Sequence, residues 1–221
     1  MKILVTAGPV YGALDDFTIV SPRTQDTWAE ILAEYLCLKG HDVTFLVADT
    51  YPEPYWHGVL QKIGDRTPYV ARHHGFGSYY AKCVGYAPTM DAAIMAADIP
   101  DWLPLRAKEG KRSSKGKEPF DQVSIRFYLV PSVIEKMKEA NPALKLVGCK
   151  RVTGLTEDDL LDAADKLMER ARCDAVLAWH IEDTSFRTLV YPDRSSSRMK
   201  PGPALYDELR RVLDPPEPDL P

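Results

Sequence analysis

Lys2-Ile3-Leu4-Val5-Thr6-Ala7-Gly8 is the stretch whose reading decides the fold. A short apolar run breaks at a glycine, passes through a loop and feeds the helix-like run Thr24 to Lys39, closed by Gly40. That order is the first strand, loop and helix of a nucleotide-binding α/β sheet. In the helix, Trp28, Ile31, Leu32, Tyr35, Leu36 and Leu38 recur at a spacing of three and four, which makes one face for packing on the sheet. Gly40 stands where a helix end calls for a residue that tolerates positive φ. His41 to Val47 reads as the next strand, so the opening is a βαβ unit with a right-handed crossover. Such sheets bind ligands at the carboxyl ends of their strands, which directs attention to the loop after Gly8.

The remaining chain extends that plan. Pro68 to Ala71 reads as a short strand, while Gly75 to Gly85 fits helix and loop equally well. Ala92 to Ala97 reads as a buried central strand, and Asp98-Ile99-Pro100-Asp101-Trp102-Leu103-Pro104 is the loop at its carboxyl end. Val123, Ile125 and Phe127 alternate with polar neighbours, the period of a half-buried strand. Pro131 opens a helix carried by Val133, Ile134, Met137 and Ala140, and Leu144 to Cys149 is the following strand. Thr156 and Asp159 form a capping box for a helix reaching about Arg172, with Lys166 and Arg170 four apart on one face. Asp174 to Trp179 is the last strong strand, ending at His180; Phe186 to Tyr191 reads as an edge strand and Pro203 to Leu213 as a closing helix. The expected fold is therefore α/β, a Rossmann-like, mostly parallel sheet with helices on both faces and a small C-terminal appendage. One domain covers 1–213, and 214–221 is a proline-rich acidic tail expected to be poorly ordered.

Composition narrows the function classes. A formal charge of −4 over 221 residues gives no general basic field, so neither nucleic acid nor a membrane is an expected partner. A small anion held by a local basic patch stays open. The segment Arg106 to Glu118 is such a patch: Lys108, Lys111, Arg112, Lys115 and Lys117 lie among Gly110, Ser113, Ser114 and Gly116. It reads either as a solvated loop or as a flap closing over phosphates. Arg23, Thr24 and Gln25, just ahead of the first helix, are candidate substrate-binding donors to an anion. Cys37, Cys83, Cys149 and Cys173 are far apart without a C-x-x-C pair, which fits a reducing compartment and buried apolar roles. His73 and His74 are adjacent and point apart, so no metal site is expected there. No apolar run reaches the ~18 to 20 residues needed to cross a bilayer, and no signal-peptide pattern is present, so a cytoplasmic protein is expected.

Several blocks then carry a resemblance. Lys2 to Gly8, Leu14-Asp15, Gly40-His41-Asp42-Val43-Thr44, Ala96-Ala97 with Asp101-Trp102 and Pro104, Asn141-Pro142 before Leu146-Val147-Gly148-Cys149, and Thr156-Glu157-Asp158 to Asp174 with Ala175 to Ala178 resemble the phosphopantothenoylcysteine synthetase family, ligases of coenzyme A synthesis. The resemblance is weakest over 50–90 and after 183. It implies a homodimer that uses CTP with Mg2+ as substrate, without a flavin, to activate a carboxylate as an acyl-cytidylate for attack by an amine. By the same resemblance the nucleotide contacts include Gly8, Ala96, Ala97 and Asp101, and the flexible lysine motif falls at Lys115 to Lys117, with Lys115 catalytic. A turn at Pro131 and Ser132, the position of Cys149, and the cations Lys166 and Arg170 complete the implied nucleotide set.

The departures from that family concentrate in the first loop. Pro9 and Val10 replace a glycine and a threonine, Thr18 and Pro22 replace an arginine and the asparagine that serves the second half-reaction, and Thr24 and Asp26 replace a serine and a glycine. Cys149 replaces an aromatic near the nucleotide. Proline offers no N–H to an oxyanion, so the CTP half is the better kept and a changed carboxylate substrate is expected. The alternative is a non-catalytic protein that retains the fold and binds a nucleotide or metabolite. A nicotinamide dehydrogenase is disfavoured because no G-x-G-x-x-G follows the first strand.

Overall fold

Strand β1 (Lys2–Thr6) lies inside an eight-stranded sheet, third from one edge, flanked by β4 (Asp42–Ala48) and β6 (Ala92–Met95). This is a computed structural model, and it describes residues 1–23, 27–56, 67–113, 121–154 and 156–214. With β5 (Tyr69–His73), β9 (Lys145–Val152) and β10 (Ala175–His180), the parallel part runs β5-β4-β1-β6-β9-β10. The antiparallel strands β11 (Arg187–Val190) and β12 (Ser196–Met199) extend it beyond β10. From β1 the chain builds outward to β5, then returns to β6 on the other side and builds outward again. The point of reversal lies between β1 and β6, and there the connections leave in opposite directions and open a crevice.

Alternation along the strands divides the core into two layers. Ile3, Val5, Phe45, Ile94, Val147 and Leu177 face one layer, which holds α1 (Trp28–Leu38) and α5 (Pro203–Leu213). Leu4, Leu46, Ala93, Leu146 and Val176 face the other, which holds α2 (Gly75–Tyr86), α3 (Val133–Ala140) and α4 (Glu157–Ala171). Strands covered on both faces are apolar at successive positions, which is why they read as continuous runs. Each large side chain removed from water here contributes about 1.5–3 kcal/mol.

The helix ends follow from named residues. At the end of α1 the Gly40 N–H donates to the Cys37 carbonyl and the His41 N–H to the Leu36 carbonyl, with Gly40 at φ +89, the paired bonds of a Schellman motif. Thr156 and Asp159 bond reciprocally at the start of α4, so the capping box is present. The residues 75–86, ambiguous in sequence, are helical, and α5 has the expected bounds.

Four expectations need correction. The alternation at 123–128 does not make a strand there; only β8 (Phe127–Leu129) forms, paired with β7 (Trp102–Pro104) in a separate ribbon. Val123 is 65% exposed, so its alternation reflects no buried face. Helix α1 starts at Trp28 with Thr27 as its N-cap, and α3 starts at Val133 with Ser132 as N-cap, so Pro131 precedes the helix rather than opening it. Strand β9 runs three residues beyond Cys149, to Val152. The hairpin β2 (Gly12–Ala13) and β3 (Ile19–Val20), like β7 and β12, was not foreseen.

Candidate functional site

A cleft of about 770 Å3 opens at the carboxyl ends of β6, β9 and β10. It straddles the edge of the sheet. On the side of α3 and α4 it is lined by Ser132, Val133, Ile134, Lys150, Leu167 and Arg170; on the side of α1, by Ser21, Pro22, Arg151 and Trp179. Between them runs Ala97 to Asp101, the connection leaving β6. Tyr79, fully buried, lines the floor and its hydroxyl donates to Thr6 Oγ1 at 3.3 Å, and the same oxygen accepts from the Ala97 N–H at 3.1 Å. Thr6 thereby fixes where the chain turns out of β6. The Val130 N–H donates to the Asp101 carbonyl at 2.9 Å and joins the two rims.

Six of the residues expected from sequence share this cleft: Ala97, Asp101, Pro131, Ser132, Cys149 and Arg170. The Ser132 hydroxyl makes no capping bond to α3. Arg170 is largely exposed, with Nε 2.8 Å from Glu135 Oε1. Lys166, one turn earlier, is exposed and is not among the lining residues. Ala96 is buried beneath the cleft. Gly8 also lies outside the lining: it holds φ +70 with the Tyr51 ring against it, and a Cβ there would stand 2.6 Å from Tyr51 Cδ2. Arg23 is exposed, while Thr24, Gln25, Lys115 and Lys117 lie outside the described residues.

Reading the strands short of their ends hid part of the cleft. Arg151, on β9, pairs with Asp98 and lies over the Trp179 ring, its guanidinium 5.9 Å from the centroid. Arg187, 2% exposed, lies 4.4 Å from the same ring, and Trp28 meets that ring edge-on at 6.0 Å. The Asp98 backbone is fixed as well: its N–H donates to the Gly8 carbonyl at 2.9 Å and its carbonyl accepts from the Val10 N–H at 2.8 Å. Pro9 bridges to Asp98, so the rebuilt first loop is stitched to the rim of the cleft. The signal in the sequence was Lys150-Arg151, two cations following a buried glycine and Cys149, which is half-buried rather than buried as Cys37, Cys83 and Cys173 are.

The base of the lysine segment is tied to the first loop too. Asp15, 3% exposed, accepts from the N–H groups of Arg112 (2.9 Å), Phe17 (2.9 Å) and Thr18 (2.6 Å). These bonds, the Arg112 amide foremost, lower its pKa to about 2. The Lys108 N–H donates to the Leu14 carbonyl and the Gly110 N–H to Asp16.

A second hollow, about 360 Å3, lies between Tyr11, His74, the start of α2 and Arg106. Asp49 accepts there from Tyr11 at 2.8 Å and bonds His74 Nδ1 at 2.7 Å. His73 and His74 do point apart: the first is buried, with burial lowering its pKa to about 4, and the second is exposed. Among the described residues no group of three or more His, Cys, Asp or Glu side chains is placed to hold a metal ion, and no helix is long and apolar enough to cross a membrane.

Comparison with known proteins adds a family. The family model described as the DNA/pantothenate metabolism flavoprotein C-terminal domain matches residues 1–189. The coenzyme A biosynthesis bifunctional protein CoaBC of Thermococcus kodakarensis is 25% identical over 178 residues, 80% of this chain and 40% of that protein. The chain thus spans about two-fifths of the length of that curated relative. Among solved structures, the DNA/pantothenate metabolism flavoprotein of Streptococcus pneumoniae superposes with a TM-score of 0.78 at 18% identity, covering 96% of this chain and 97% of that one. A Cab2 variant in complex with phosphopantothenate-cysteine superposes at 0.75 and 14% identity, over 96% and 84%. At these identities the structures establish the shared fold.

Proposed function

The chain belongs to the DNA/pantothenate metabolism flavoprotein C-terminal domain family, and from that premise we propose that it is a nucleotide-dependent ligase whose cleft activates a carboxylate for amide formation. The nucleotide is CTP, brought with Mg2+. A carboxylate oxygen attacks the α-phosphorus and pyrophosphate leaves; an amine then attacks the acyl carbon and the nucleoside monophosphate leaves. A carboxylate is a poor electrophile, and the phosphoanhydride supplies the leaving group it lacks. The step calls for cations around the triphosphate as charge develops on the departing pyrophosphate.

One observation carries the reading: Asp101, Pro131, Ser132, Cys149 and Arg170, from four separate stretches of sequence, line a single cleft beside the switch point of the sheet. Arg170 and Lys150 supply cations on the α4 side, and Lys115 and Lys117 are the further cations proposed to meet the triphosphate. On the first-loop side Pro22 removes the amide the family uses, which favours an acid other than phosphopantothenate. A homodimer is part of the proposal. The ribbon β7–β8 exposes Trp102 (56%), Leu129 (62%) and Phe127 (42%), an apolar surface of the kind that a second subunit covers.

The test is thermal unfolding of the full chain against a nucleotide panel. CTP with Mg2+ raises the melting temperature, and Lys115→Ala with Lys117→Ala together reduce that rise. No shift with any nucleoside triphosphate would remove the assignment.

A further inference from the structure

We infer that the hollow beside the first hairpin is a second binding site, for a small molecule that joins an anionic oxygen group to an apolar body. It shares no lining residue with the cleft and does not depend on the ligase reading. Strands β4 and β5 run parallel in a register that sets Ala48 opposite His73, so the residues that follow, Asp49 and His74, leave the sheet side by side. The Asp49 N–H donates to the His73 carbonyl at 2.9 Å and holds that step. His73 turns into the core and His74 out to the hollow, where its Nδ1 lies 2.7 Å from Asp49 Oδ2. The other oxygen of Asp49 accepts from the Tyr11 hydroxyl at 2.8 Å. Tyr11 is fixed at its backbone too, since its carbonyl accepts from the Phe76 N–H at 2.9 Å. Gly75, at φ +72, permits this approach: a Cβ there would stand 3.1 Å from that carbonyl oxygen.

An exposed Asp–His pair adds little to stability, so folding alone does not account for the arrangement. What the carboxylate does is orient the ring. With Nδ1 engaged by Asp49, the imidazole of His74 keeps Nε2 for a ligand, and a protonated ring donates from it to an anion. Arg106 also lines the hollow, exposed and without an ion pair among the described residues. Its planar fork of N–H donors matches a carboxylate or a phosphate. The remaining walls are largely apolar: the rings of Tyr11, Phe76 and Tyr128 with Leu103 and Pro104. At about 360 Å3 the hollow falls within the range of small-ligand sites, roughly 300–1,000 Å3. Leu103 and Tyr128 face one another across the ribbon β7–β8, and alternation sends the neighbouring pair, Trp102 and Leu129, to its other side. A second subunit on that other side leaves the hollow open.

The experiment records the imidazole carbon–proton resonances of the 13C-labelled full chain while benzoate or phenyl phosphate is added at constant pH and ionic strength. His74, one of five histidines, is assigned by its loss in His74→Gln. The expected result is a saturable shift of the His74 resonance with one or both anions and none with neutral benzamide. Whichever anion binds more tightly tells a carboxylate ligand from a phosphate one. Acetate, which lacks the apolar body, half-saturates at a concentration about tenfold higher or more. Arg106→Gln, at an exposed position, weakens binding of the tighter anion roughly ten- to hundredfold, as loss of a charge-assisted hydrogen bond implies. A His74 resonance that ignores both anions, follows benzamide alike, answers acetate as readily, or keeps its affinity in Arg106→Gln overturns the inference. The nucleotide panel separates the two ideas: a CTP shift with a static His74 leaves the ligase reading and removes this site. A responsive His74 without any nucleotide shift does the reverse.

Discussion

Gly8 and Gly40 both adopt positive φ, yet their substitutions are expected to differ. At Gly40 a Cβ meets nothing within 4 Å, so Gly40→Ala costs only the left-handed backbone, about 1 kcal/mol. At Gly8 the same backbone cost is joined by a clash with Tyr51, whose hydroxyl is held by Glu30 at 2.9 Å and whose ring cannot withdraw freely. Gly8→Ala is expected to lose about 2–4 kcal/mol in urea unfolding; equal losses at the two positions would contradict the packing described. The residue scale also shows what a motif can conceal. Asn141 and Asp174 helped to carry the family resemblance, and both have structural roles here. The Asn141 amide donates to the Ala87 and Met90 carbonyls, and Asp174 accepts from Leu146 N–H and Lys145. Arg151 escaped the sequence reading because its setting depends on Trp179 and Asp98, which are 28 and 53 positions away and meet it only in the fold.

At the scale of elements, the legible parts were those whose signal is local. The α4 capping box, the Gly40 helix end and the bounds of α5 follow from neighbouring residues. The two-residue strands β2 and β3, and the ribbon β7–β8, depend on contacts between loops, and alternation alone placed a strand too early, at Val123. Asp15 makes one such long-range tie, joining the first loop to the base of the lysine segment through the Arg112 amide. Its folded pKa, about 2, is below its ordinary value of 3.8. The stabilisation is therefore complete above about pH 4 and is lost as pH falls toward 2. Asp15→Asn should lower stability at neutral pH and flatten the pH dependence between those limits, as read by urea unfolding at a series of pH values. An unchanged acid limb would show that the carboxylate does not fasten the two loops.

The whole molecule was the most legible, since buried parallel strands announce themselves as apolar runs and the first βαβ unit follows the right-handed crossover rule. The homodimer is a proposal carried by family likeness. If the exposed ribbon is the dimer surface, light scattering of the 24.8 kDa chain gives twice that mass, and Leu129→Asp returns it to the monomer. A monomeric parent chain would refute that role for the ribbon. The central claim concerns the cleft beside the switch point, and a crystal structure with CTP and Mg2+ tests it most directly. The account predicts nucleotide density along Pro131, Ser132 and Cys149, with the phosphates within reach of Arg170. Density in the smaller hollow beside Tyr11 and His74, or a cleft left empty at saturating nucleotide, would contradict it.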